Sequence, residues 1–314
     1  MLSIIIPVYN EEKMIPITIT AIARIMQSSN IEYELVFAND GSTDNSWEII
    51  RSFAGTNPQI KAVSFSRNFG KEAAMMAGLA YSAGDACVII DADLQHPPEK
   101  IVEMYELWKQ GYKIVEGVKA SRGHESLFHR GFAKLFYKII SRTLGINMQD
   151  TSDFKLMDRE VVDTILKIPE KQIFFRAISS WVGFKSAKIE FHVQERKEGT
   201  SKWSAKSLIK YAVRNITSFS SAPLQLVTLT GIIYLIFAII LSIHTLVQFF
   251  VNSAVEGFTT VIILQLITGS IVMLALGLIG YYISKIFEEI KSRPRYIIED
   301  YVNLNKRNNN SNND

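Results

Sequence analysis

The chain has 314 residues, 48% of them hydrophobic and 21% charged, with 8 Pro and 17 Gly; this balance excludes wholesale disorder and leaves room for about two domains. Its single cysteine, Cys87, can form neither an internal disulfide nor a zinc site of several thiolates, and a net charge of +3 gives no reason to expect nucleic acid as a partner. Mean hydropathy of +0.12 is high for so many charges, so the apolar residues must be concentrated somewhere.

The first hundred residues alternate between two periods. Leu2 to Val8, Tyr33 to Ala38, Ile60 to Phe65 and Ala86 to Ile90 read as strands, with helical patterns at Lys13 to Ser28, Asn45 to Ala54 and Lys71 to Ser82. Such alternation predicts an α/β domain with a parallel sheet covered by helices on both faces. Cys87 falls in a buried strand, and Met75 and Met76 read as helix packing. A further helical pattern covers Ser126 to Thr143, and no internal repeat is present.

The concentration of apolar residues lies near the C-terminus. Leu226 to Val251 and Phe258 to Ile283 contain no Lys, Arg, Asp or Glu. Each run would be about 39 Å long as a helix, against a hydrocarbon core of about 30 Å. Lys202, Lys206, Lys210 and Arg214 precede the first run, and Lys285, Lys291, Arg293 and Arg295 follow the second, whereas the link from Asn252 to Gly257 has one Glu and no positive charge. The positive-inside rule therefore predicts a transmembrane hairpin with both outer flanks, and the large N-terminal domain, in the cytoplasm. Met1 to Tyr9 lacks the features of a signal peptide. Trp203 to Ser221 interleaves lysines with apolar residues and is expected along the membrane surface. Gly269, Gly277 and Gly280 share one face of the second span, suited to close helix approach in a homo-oligomer or within the hairpin. Asn308 to Asp314 reads as disordered.

In a parallel α/β sheet, ligands bind beyond the carboxyl ends of the strands. No G-x-G-x-x-G or G-x-x-x-x-G-K-S/T phosphate loop occurs. The strand ends are acidic instead: Pro7-Val8-Tyr9-Asn10-Glu11-Glu12, Asn39-Asp40-Gly41-Ser42-Thr43-Asp44, and Asp91-Ala92-Asp93-Leu94-Gln95-His96-Pro97-Pro98. In extended backbone, Asp91 and Asp93 point the same way and can face one cation, with phosphate oxygens completing its shell. A metal there would act as a Lewis acid on a departing diphosphate. His96 is expected to shape the loop.

With Arg67-Asn68-Phe69-Gly70-Lys71-Glu72 and Asp153-Phe154-Lys155-Leu156-Met157 added in order, these motifs resemble family 2 glycosyltransferases. The likeness is to the membrane-anchored polyprenyl-phosphate glycosyltransferases related to dolichol-phosphate mannose synthase, and the two-helix tail is similar to the bacterial glucosyl- and N-acetylglucosaminyl-transferring branch. The resemblance implies a GT-A fold and an inverting transfer of sugar from a UDP-sugar to a polyprenyl phosphate on the cytosolic face. It implies a GT-A domain over 1–202, an amphipathic segment over 203–222, membrane helices over 226–251 and 258–283, and a cytosolic tail over 284–314. By motif, Pro7, Tyr9, Glu11 and Asp40 would hold base and ribose, and Asp91, Ala92, Asp93 and Gln95 would line the diphosphate. Asp93 and Gln95, helped by Asp91, would hold Mg²⁺ or Mn²⁺, and Arg196 and Lys202 would lie in a loop closing over the phosphates. Many relatives have two aspartates where this chain has Asn39-Asp40.

The acceptor phosphate has a second pKa near about 6 and is largely dianionic in the cytosol, so it needs little help from a base. Asp153, where the family places its candidate base, is therefore expected mainly to orient acceptor or sugar hydroxyls. Two phosphate groups meeting in one site need cations, and Arg122, Arg130, Arg196 and Lys202 are the candidates. Two spans are too few to move the product across the bilayer, so a separate flippase is expected. The Gly199-Thr200-Ser201-Lys202-Trp203 wording is closer to the N-acetylglucosamine branch. A processive polysaccharide synthase would carry Q-x-x-R-W, which fails at Gln194, where Lys197-Glu198 stand instead. A membrane-tethered sugar-nucleotide sensor is the non-catalytic alternative.

Overall fold

A computed structural model describes residues 1–119, 152–170, 173–192, 222–250 and 257–304. Arg122, Arg130, Arg196, Lys202, the Ser126 to Thr143 pattern, the juxtamembrane segment and the Asn308 to Asp314 tail fall outside the described residues.

In chain order the elements are β1 (Leu2–Val8), α1 (Met14–Ser28), β2 (Tyr33–Asn39), α2 (Ser46–Thr56), β3 (Ile60–Phe65), α3 (Lys71–Tyr81), β4 (Ala86–Ile89), α4 (Lys100–Lys109), β5 (Ile114–Lys119) and β6 (Lys155–Asp158). They continue with α5 (Arg159–Leu166), α6 (Phe175–Trp181), β7 (Ser186–Phe191), the long helices α7 (Ala222–Phe250) and α8 (Phe258–Ile290), and β8 (Ile298–Val302). The alternation read from the first hundred residues is present, with ends within two residues of the predicted ones.

Among the described residues, eight strands form one sheet in the order β7-β5-β6-β4-β1-β2-β3-β8. β1, β2, β3 and β4 pair in parallel, and every residue of β1 and β2 is buried, which explains their unbroken apolar runs. The chain builds outward from β1 through β2 to β3, then crosses back to place β4 on the other side of β1. That reversal opens a crevice at the carboxyl edge of the central strands.

The parallel sheet read from the first hundred residues is present, and two antiparallel strands from later in the chain extend it. β6 runs antiparallel between β4 and β5, and β8 runs antiparallel on the outer side of β3. An antiparallel partner can come from any part of the chain, so local alternation does not reveal it.

The chain divides into two units, Met1–Ser204 with Pro294–Asp314, and Ala205–Arg293. The residues after α8 thus belong to the sheet-bearing unit and supply its edge strand, where the sequence reading has only a tail. Tyr296 stacks on Phe65 with ring centroids 4.9 Å apart, and the Trp47 indole N–H donates to Asp300 Oδ2 at 3.2 Å. The Asn303 amide donates to the carbonyls of Ala54 and Ile60, and the Arg295 guanidinium to those of Ile168 and Glu170.

In the second unit, α7 and α8 have 29 and 33 residues. Among the described residues, one stretch, Ile267–Ile290, is long and apolar enough to cross a membrane, and Val227–Leu241 is a shorter apolar stretch. The Tyr234 and Thr268 hydroxyls hydrogen-bond to each other across the two helices. Among the described residues, a Cβ added at Gly269, Gly277 or Gly280 would meet nothing within 4 Å.

Candidate active site

Four loops meet at the carboxyl edge of the sheet. Those after β1 and β2 are tied together: the backbone N–H groups of Asn10 and Glu11 donate to the Ser42 and Ser46 hydroxyls, and that of Thr43 donates to Asn10 Oδ1 at 2.8 Å. Asn10 holds a positive φ of 56°, a conformation asparagine tolerates better than most residues. Above this frame Tyr9 is 40% exposed; Pro7 is buried beneath it, and Glu11 is half-buried.

Asp40 is buried, and its carboxylate accepts from the backbone N–H groups of Phe69 and Gly70, at 2.6 Å and 2.9 Å. Burial raises its pKa, against the opposing effect of those two donors. Asp40 therefore fixes the turn that starts α3. The turn packs so closely that a Cβ on Gly41, itself at φ +62°, would lie 2.4 Å from the carbonyl carbon of Arg67. Gly70 follows at φ +102°, a region glycine enters without strain, and the next residue is Lys71.

The register of β4 and β6 then sets the chemistry. Ile89 lies opposite Lys155, and continuing two residues further places Asp91 across from Asp153. The Lys71 ammonium sits between them, 2.6 Å from Asp91 Oδ1 and 3.1 Å from Asp153 Oδ2. On the far side Arg176, from α6, grips Asp153 in a fork, with Nε to Oδ1 at 2.8 Å and Nη2 to Oδ2 at 2.9 Å. The result is a row of alternating charge, Asp91, Lys71, Asp153 and Arg176, drawn from four elements. Burial works against the ionisation of Asp153, but the Arg176 and Lys71 charges outweigh it and hold the carboxyl well below the usual range. For Asp91 burial is likewise outweighed, chiefly by Lys71, and its pKa is lowered.

Beyond Asp91 the loop turns sharply. Asp93 Oδ1 accepts from the Gln95 backbone N–H at 3.1 Å, Leu94 has φ +54°, and the Ala92 carbonyl accepts from the Thr18 hydroxyl at 2.7 Å. His96 stacks on Phe154 with centroids 5.0 Å apart and is buried, so it shapes the loop as expected; burial lowers its pKa. Among the described residues no three His, Cys, Asp or Glu are grouped to hold a metal. Ala92 and Asp93 form a turn and not the extended backbone expected from the sequence, and Asp91 and Asp93 are hard oxygen donors of the type a divalent cation sharing phosphate oxygens with a ligand would take. The ammonium already held by Asp91 shows that this carboxylate accommodates positive charge.

Behind the row lies a buried support. Lys155, 1% exposed, pairs with Glu116 on β5 at 3.1 Å and donates to the Ser179 hydroxyl at 2.8 Å; Glu116 Oε1 also accepts from the backbone N–H of Ser152, next to Asp153. Replacing Lys155 by Met leaves Glu116 as an uncompensated buried charge and should destabilise the protein by about 3–5 kcal/mol. Pairing that change with Glu116→Gln should recover most of the loss, as measured by thermal unfolding in detergent. An unchanged midpoint for Lys155→Met would show that the pair carries no such weight.

Sequence reasoning quotes Lys71 only as part of a motif and misses Arg176 altogether. A single Arg within Ile173-Phe174-Phe175-Arg176-Ala177-Ile178, five apolar residues that are all buried, is a signal that a carboxylate waits nearby. Elsewhere, Cys87 is buried as expected; burial pushes its thiol up, and its sulfur accepts from Arg159 Nη2 at 3.2 Å.

A Rossmann-like sheet with a D-x-D loop at its carboxyl edge, set against a second acidic strand end, suits a sugar-transferring enzyme, and the comparisons identify one. Residues 3–166 match glycosyl transferase family 2. The uncharacterized glycosyltransferase YkcC of Bacillus subtilis is 42% identical over 97% of this chain and 95% of its own length. The prophage bactoprenol glucosyl transferase homolog of Escherichia coli is 36% identical over 95% of this chain and 98% of its own, and the bactoprenol glucosyl transferase of Shigella phage SfII is 36% identical over 95% and 97%. The chain is a glycosyltransferase and belongs to family 2.

Proposed function

We propose that this enzyme transfers glucose from UDP-glucose to a polyprenyl phosphate on the cytosolic face of the cell membrane, with inversion at the anomeric carbon. The observation that carries the reading is the charged row Asp91, Lys71, Asp153 and Arg176 at the sheet's carboxyl edge. It is a place where two phosphate-bearing substrates can meet cations already held in position. The relatives named for glucosyl transfer and bactoprenol cover nearly the whole chain, which favours glucose over N-acetylglucosamine and a polyprenyl acceptor over any other.

In this reading Tyr9 offers its exposed ring to the uracil base, with Pro7 and Glu11 beside it. Asp40 acts through the Phe69-Gly70 turn that it holds. Asp91, Asp93 and Gln95 would hold a divalent cation, Mg²⁺ or Mn²⁺, which when bound stabilises charge on the departing diphosphate. Ala92 lines the diphosphate, Arg196 and Lys202 close over it, and Arg122 and Arg130 receive the acceptor phosphate. Asp153 keeps Lys71 and Arg176 oriented towards the phosphates. The acceptor phosphate dianion attacks the anomeric carbon directly, so no proton need be removed from it.

The chain leaves the sheet-bearing unit and re-enters it around α7 and α8, which favours an even number of membrane crossings, and the lysines and arginines flanking the two helices favour the cytoplasm for both flanks. A separate flippase then moves the lipid-linked sugar outward, where it serves cell-envelope glycan decoration.

The test is a membrane assay with undecaprenyl phosphate, Mg²⁺ and radiolabelled UDP-glucose or UDP-N-acetylglucosamine, read as label entering the organic phase. Label from UDP-glucose alone is expected. Asp93→Asn should lower transfer at least about 10²-fold, and EDTA should abolish it. Label from UDP-N-acetylglucosamine alone would overturn the donor assignment, and transfer undiminished by Asp93→Asn would overturn the site.

A further inference from the structure

Lys71 occupies the place where a metal would be expected to contact Asp91. Its Nζ lies 2.6 Å from Asp91 Oδ1 and 2.8 Å from Oδ2, so both oxygens of that carboxylate already face a positive charge. The same nitrogen reaches Asp153 Oδ2 at 3.1 Å, and Asp153 is itself gripped by Arg176. The backbone beneath Lys71 is fixed, because Asp40 ties down Phe69 and Gly70 immediately before it. The Lys71 side chain is 42% exposed at the start of α3, so its ammonium can exchange partners without moving that fixed base.

A divalent ion held by Asp91, Asp93 and Gln95 without a nucleotide would have to displace this ammonium from Asp91 and then sit close to it, since Asp153 keeps Lys71 nearby. Like charges so placed repel strongly in a partly desolvated crevice. A diphosphate changes the balance, because its oxygens can lie between the two cations and bind both, as phosphate commonly does with lysine and a metal together.

Resting on the donor-site reading above, we propose that Lys71 is the resident counter-ion of Asp91 and makes metal binding conditional on the nucleotide. With no nucleotide bound, the ammonium neutralises Asp91 and keeps the metal position weak. When the diphosphate arrives, Lys71 leaves Asp91, remains anchored on Asp153, and turns its charge onto the phosphate oxygens. Asp153 is the pivot of this exchange, and Arg176 holds the pivot still. The arrangement spares the empty enzyme a tightly bound metal and couples the loading of the two donor components. The coupling is reciprocal, so metal strengthens nucleotide binding by the same factor.

The experiment is a Mn²⁺ titration of the purified full chain in detergent, followed by the EPR signal of free Mn²⁺, with and without UDP and corrected for the Mn²⁺ that UDP itself holds. The wild type should bind Mn²⁺ at least about tenfold more tightly when UDP is present. Lys71→Met should tighten binding of Mn²⁺ alone by about tenfold or more and shrink the effect of UDP correspondingly. Lys71→Arg, which keeps the charge, should retain weak binding of Mn²⁺ alone and guards against a folding defect in the first variant. Unchanged affinity for Mn²⁺ alone in Lys71→Met, with UDP-dependent binding intact in the wild type, overturns this inference while the donor-site reading stands. No Mn²⁺ binding by the wild type even with UDP overturns the metal reading and this inference with it; Asp91→Asn provides the blank for both.

Discussion

Replacing Asp153 by Asn should lower sugar transfer by about 10²-fold or more, yet leave the acid limb of the pH–rate profile where it was. The size of the loss follows from the geometry. Asp153 is the common partner of Lys71 and Arg176, so removing its charge releases one cation and leaves the other uncompensated. The pH behaviour follows from its ionisation. Its carboxyl is held well below the ordinary carboxylate range, so it stays charged throughout the range from about pH 5 to 9 and makes a weak base there. Because its pKa falls on folding, the stability it contributes is present above the unfolded value of about 3.9 and is lost only as pH falls through the lower folded value. The limb expected near about pH 6 belongs to the acceptor phosphate, which becomes a poorer nucleophile as it gains a proton. Rates of wild type and variant measured from pH 5 to 9 decide the matter. A limb that disappears in Asp153→Asn would make Asp153 the proton acceptor after all.

Ending the chain at Arg293 should abolish cooperative folding of the catalytic unit, even though the deleted residues lie far from the D-x-D loop in sequence. The truncation strips β8 from β3 and bares the edge formed by Ala62, Val63, Ser64 and Phe65, which invites pairing with other copies. It also removes the Tyr296 ring from Phe65, the Asp300 carboxylate from the Trp47 indole, and the Asn303 amide that satisfies the carbonyls of Ala54 and Ile60. Tyr296→Ala alone should cost about 2–3 kcal/mol, from lost stacking and burial. Thermal unfolding and size-exclusion profiles in detergent check both changes. A truncated chain that stays monodisperse with an unchanged midpoint would show that the edge strand is dispensable.

The parts of the fold that were legible in the sequence are the local ones. Leu2 to Val8 and Tyr33 to Ala38 are apolar runs of strand length bounded by turn residues, and the helices between them follow the 3.6-residue period. Asp91 and Asp93 announce themselves because a carboxylate pair closes an apolar strand. What was not legible depends on pairing between distant segments. Nothing in Asp153-Phe154-Lys155-Leu156-Met157 says that it lies antiparallel to β4, and only that register sets Asp153 opposite Asp91. Glu116 and Lys155 are each anomalous charges within an apolar stretch and make sense only as neighbours on adjacent strands. Arg176 carries no motif, since its role comes from where α6 packs. β8 was hidden for the same reason, being a five-residue strand whose partner lies more than two hundred residues earlier.

The return of the chain to β3 also dictates an order of events during synthesis. β8, one of the two edge strands of the sheet, is encoded after both long helices, so the ribosome delivers α7 and α8 before the catalytic unit can close that edge. If those helices enter the bilayer as they emerge, the nascent enzyme is tethered while β3 is still bare.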